Sequence, residues 1–129
     1  MDTDSRRGLP EPSPRPARRI LVVDADRDCV ALLEQWLTDA GFEVVHYADA
    51  GAPLDCAIVD VPQPRSGGAQ AVRVVADRHP GTPILAVSSA FFAGIEHCTA
   101  APRMLGVEAL LAKPMSREAL LNQVRRLLE

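Results

Sequence analysis

The stretch "ILVVDADRD", Ile20 to Asp28, decides the fold. Four aliphatic residues, mostly β-branched, run straight into Asp24, Ala25 and Asp26. A run this short and apolar predicts a buried strand. An unpaired buried charge is costly, so a strand ending in carboxylates implies partners for them. The same pattern returns further along. "CAIVD" (56–60) is a second apolar run closing on an acid, Asp60. "TPILAVSS" (82–89) closes on serines and "ALLAKP" (109–114) on Lys113.

Helical patterns lie between these strands. From Arg27 to Ala40, Val30, Leu33, Leu37 and Ala40 fall on one helical face, and Gly41 stops the helix. "FEVVHYA" (42–48) reads as another strand. A helix is predicted from Ala69 to Arg78, closed by "HPG", and another from Arg117 to Leu128 with Ser116 as its N-cap. Alternating βα units of this size give a parallel sheet with helices on both faces. Strands buried on both faces should be continuous apolar runs, as three of these are. Ligands of such sheets bind beyond the carboxyl ends of the strands. Asp24, Asp60, Ser88 and Lys113 all stand there, and their convergence is the functional signal.

Composition narrows the function. The 129 residues suit one domain with a real core. A net charge of -3 advertises no nucleic acid or anionic membrane, and 4% aromatics argues against a base-stacking platform. Cys29, Cys56 and Cys98 have no metal-ligand spacing, which suggests reduced thiols and a cytoplasmic protein. His46, His79 and His97 are scattered and read as ordinary surface or partly buried histidines. No apolar run is long enough to span a membrane. Residues 1–17, with Pro10, Pro12, Pro14 and Pro16 alternating, read as a disordered tail. The domain is assigned to residues 18–129.

"ILVVDAD", "AIVDVPQPRSGG", "PILAVSS" and "LLAKP", in this order, resemble the receiver domain of bacterial two-component response regulators. The resemblance implies a flavodoxin-like, doubly wound five-stranded parallel sheet of order 2-1-3-4-5. It makes Asp60 the aspartate that accepts a phosphoryl group, Lys113 the lysine that pairs with the phosphoryl oxygens, and Ser88 the switch hydroxyl. Asp24 matches the first acid of the pair that helps hold Mg²⁺, with the Asp60 carboxylate and the Pro62 backbone carbonyl as further ligands. Pro64 and Gly68 match the proline and glycine of the family's following loop. The partners implied are a histidine kinase or phosphotransfer protein and a downstream protein.

The chain departs from that pattern in three places. Ala25 replaces the second acid of the pair, so Mg²⁺ binding should be weak. Asp26 stands one residue further on; capping the next helix is its preferred role, metal binding the alternative. Only "GAPL" separates "HYADA" from "DCAIVD", so the family's second helix should be missing or much reduced. Apolar surface uncovered there would suit a partner or a homodimer. Leu110 stands where a switch aromatic is usual, and Pro102, within the family's fourth helix, should make that helix start late, near Thr99. Phe91 and Phe92 are expected to cover that shortened helix, and Trp36 to pack beside the core stripe.

Three readings follow. The first is a stand-alone receiver phosphorylated on Asp60, since no output domain follows Lys113 beyond one helix. The second is a degenerate receiver kept as an interaction module. The third, remote, is a haloacid-dehalogenase-like phosphatase, whose strand-terminal Asp-x-Asp "DAD" satisfies, although that family's last acidic motif follows its lysine.

Overall fold

The computed structural model describes residues 17–47, 49, 52–61, 69–98 and 100–129. Ala17 apart, the tail assigned to residues 1–17 lies outside them, as do Pro62, Pro64 and Gly68. The described elements are β1 (Arg19–Val23), α1 (Arg27–Asp39), β2 (Glu43–Val45), β3 (Cys56–Asp60), α2 (Ala69–Arg78), β4 (Ile84–Ser88), a 3-10 turn (Ile95–His97), α3 (Ala101–Leu105), β5 (Ala109–Ala112) and α4 (Arg117–Leu128).

All strand pairs are parallel, in the order β2-β1-β3-β4-β5. Side chains alternate across a strand, so each strand feeds two cores. Ile20, Val22, Cys56, Ile58, Leu85, Val87, Ala109 and Leu111 face α1 and α4, where Leu33, Leu37, Leu120 and Val124 complete one buried cluster. Leu21, Ala57, Val59, Ile84, Ala86 and Leu110 face the other way, onto Val72 and Val75 of α2 and Ile95 of the 3-10 turn. This two-sided burial explains why β3 and β4 are continuous apolar runs.

The helix ends follow local chemistry. The Asp26 carboxylate accepts the Asp28 and Cys29 N–H groups and caps α1. Gly41 leaves α1 at φ 95°, a backbone state that L side chains rarely adopt. Ser116 Oγ accepts the Ala119 N–H and caps α4. Pro102 sits in the first turn of α3, which begins only at Ala101 after the 3-10 turn. The helix starts late as expected, though at Ala101 rather than near Thr99; Phe91 packs on the core, but Phe92 is exposed, against the expectation that both cover the shortened helix.

The second strand is shorter than "FEVVHYA", ending at Val45. Among the described residues no helix joins β2 to β3. The connection is instead clipped to the start of β1. The Asp55 carboxylate accepts the Arg19 N–H at 2.7 Å, the Asp55 N–H donates to the Arg19 carbonyl, and the Arg19 guanidinium donates to the Pro53 carbonyl. A largely apolar groove of about 300 Å³ lies beside it, walled by Leu21, Val23, Ala71 and Val75 and reaching Tyr47 and His79. His79 is buried rather than superficial.

Candidate functional site

Register brings the site together. Val23 of β1 lies opposite Val59 of β3, so the next residues, Asp24 and Asp60, emerge side by side. Ser88 lies opposite Ala112, so Lys113 leaves β5 at the same edge, its N–H donating to the Ser88 carbonyl at 3.0 Å. The Lys113 ammonium then bridges the two acids. Its Nζ is 2.8 Å from Asp24 Oδ2 and 2.8 Å from Asp60 Oδ1. The Asp24 side chain is only 2% exposed, against 17% for Asp60.

Asp24 is committed on every side. Its Oδ1 accepts the Asp26 N–H at 2.9 Å and its Oδ2 accepts Lys113 at 2.8 Å. Burial opposes its ionisation, yet these hydrogen bonds and the lysine charge hold its carboxyl below the usual value. Burial first, and then the neighbouring Asp24, pushes the Cys29 thiol up to about 11, so it stays a neutral thiol. Burial works against the Lys113 charge, but the hydrogen bonds to Asp24 and Asp60 outweigh it and raise its pKa.

Ser88 is fully buried at the end of β4, and its Oγ accepts the Ala90 N–H at 3.0 Å. Its hydroxyl is thus engaged in its own turn. Leu110 is buried in the core face toward α2, where it packs. Ala25 is exposed and offers no donor atom. Asp26 uses its carboxylate as a cap. The sequence marks Cys29 only as a reduced thiol; the signal that it belongs beside the site is its place in the first turn of the helix that follows Asp24. A cleft of about 350 Å³ opens beside Lys113, lined by Cys29, Leu33, Trp36, Ser89 and Met115.

The donor set is thin for Mg²⁺, which wants an octahedron of oxygens. Two carboxylates are present, each with an oxygen on Lys113, and position 25 is a methyl group. Among the described residues no group of three or more His, Cys, Asp or Glu could hold a metal ion. These residues do not make a tight divalent site.

A family model, that of the response regulator receiver domain, matches residues 20–125. The chain belongs to the response regulator receiver family. Receiver domains are generally non-enzymatic signalling modules that bind Mg²⁺ at their acidic pocket. The receiver is 33% identical over 119 residues to the probable transcriptional regulatory protein SilR of Salmonella typhimurium, covering 85% of this chain and 50% of that protein. It thus spans about half the length of that curated relative. Among solved structures, Vibrio cholerae CheY4 is 27% identical with a TM-score of 0.68, covering 87% of this receiver and 99% of that chain. A CheY-like receiver domain protein from Methanospirillum hungatei is 25% identical with a TM-score of 0.67, covering 87% and 94%. The five-stranded sheet and its order agree with these relatives. No helix among the described residues is long and apolar enough to cross a membrane.

Proposed function

We propose that this receiver accepts a phosphoryl group on Asp60 from a histidine kinase or phosphotransfer protein, and signals by protein contacts in the cytoplasm. The observation that carries the reading is the Lys113 ammonium 2.8 Å from Asp60 Oδ1, on a carboxylate that stays partly open to solvent. An Asp60 oxygen attacks phosphorus. The bond from phosphorus to the donor imidazole nitrogen breaks, and the imidazole keeps the electron pair. The product is an acyl phosphate whose new oxygens Lys113 is positioned to neutralise. Ser88 would leave its bond to Ala90 to reach that group. Mg²⁺ would be held weakly, through Asp24, Asp60 and the Pro62 carbonyl, with the Asp26 carboxylate kept to its cap.

The degenerate-receiver reading is favoured by one observation, the full commitment of Asp24 within the chain beside the methyl of Ala25. The phosphatase reading needs Asp24 as a free nucleophile, and a side chain 2% exposed with both oxygens bonded is poorly placed for that. The groove beside β2, with Tyr47 and Val74 exposed at its margin, suits a downstream protein or a homodimer partner. Incubation with acetyl phosphate, followed by intact-mass measurement, tests the reading. Wild type should gain one phosphoryl group and Asp60→Asn none. No gain in wild type at millimolar Mg²⁺ would leave the interaction module.

A further inference from the structure

We infer that the Lys113 ammonium, rather than a divalent cation, is the resident counter-ion of this pocket. The inference rests on the placement of Asp24, Asp60 and Lys113 in the unphosphorylated chain, and does not require Asp60 to be the phosphoacceptor. Lys113 Nζ makes two charge-assisted hydrogen bonds of 2.8 Å, one to each carboxylate. The second oxygen of Asp24 is held by the Asp26 N–H at 2.9 Å. A metal ion entering here must displace an ammonium already tethered in place. A tethered cation carries no association entropy, whereas an ion from solution does. With two acids and one lysine the pocket keeps a single formal negative charge, a weak attraction for a divalent ion. The arrangement of the sheet edge is therefore independent of divalent-ion concentration.

The test is Mn²⁺ binding to the full chain, read from the electron paramagnetic resonance signal of the free ion. Lys113→Gln leaves both carboxylates without their cation, and Ala25→Asp adds an acid at an exposed position. Each should bind Mn²⁺ more tightly than wild type by roughly tenfold or more, the factor that one charge-assisted hydrogen bond represents. Equal affinity in wild type and Lys113→Gln, both folded by circular dichroism, overturns the inference. If Lys113→Gln does not fold, the ammonium resonance of Lys113 in the wild type decides. It should remain slowly exchanging and unshifted in millimolar Mg²⁺, and its loss overturns the inference. Acetyl phosphate labelling of Asp60, measured separately, reports on the phosphoacceptor reading alone.

Discussion

Asp24 is a carboxylate whose ionised form the fold prefers. Its folded pKa lies below the ordinary 3.8, so in acid the unfolded chain binds more protons than the folded one. Its contribution is complete above about pH 5 and is lost as pH falls through 3.8 toward the folded value. Lys113 acts at the other end. Its folded pKa is raised above 10.5, so its contribution is whole below that pH and fades as pH climbs through the folded value. Asp24→Asn should cost about 1.5–3 kcal/mol at pH 7, the range for a hydrogen bond to a charged group. Urea unfolding at pH 7 and at pH 3 checks it. The gap between variant and wild type should narrow in acid, and an equal gap at both pH values would dismiss the Asp24–Lys113 linkage.

At the scale of elements, caps and clips replace length. Asp26 satisfies two otherwise open N–H groups of α1. Asp26→Ala should therefore destabilise the fold by about 1 kcal/mol, seen in thermal melts, without changing Mn²⁺ affinity. A matching loss of metal affinity would reopen the ligand role. The connection from β2 to β3 is held by Asp55 on the Arg19 backbone, on both the N–H and the carbonyl side. Asp55→Ala leaves the Arg19 N–H without its carboxylate, and hydrogen exchange at the start of β1 should quicken. Glu108 does the same for β4, accepting the Ile84 N–H at 2.7 Å. Among the described residues, the β2–β3 connection is the crossover that carries such a bond and no helix.

For the whole molecule, stability lies in the two faces of one sheet. Leu85 is fully buried at the centre of β4, on the side of α1 and α4. Leu85→Ala should cost about 2–5 kcal/mol, from lost transfer energy and the cavity left behind. Val74 is 50% exposed beside the groove. Val74→Ala should stay within about 0.5 kcal/mol, as for a surface change away from special features. Urea midpoints for the two variants separate core from margin, and a comparable loss at Val74 would mean that the groove face is covered.

Much of this was legible before folding. The continuous apolar runs of β3 and β4 announce strands buried on both faces, because only a parallel sheet between helices needs no polar side. The helical stripes, the Ser116 cap and the late α3 follow from local spacing, capping chemistry and the geometry of proline. The convergence of Asp24, Asp60, Ser88 and Lys113 could be named, because each ends a strand and parallel strands end together. What the sequence could not decide is who touches whom. Whether Asp24 faces metal or lysine, and that the Ser88 hydroxyl binds its own turn, depend on register and rotamer across a sequence separation of 89 between Asp24 and Lys113. Side-chain hydrogen bonds act only within about 3 Å, and only the packed sheet sets separations that fine.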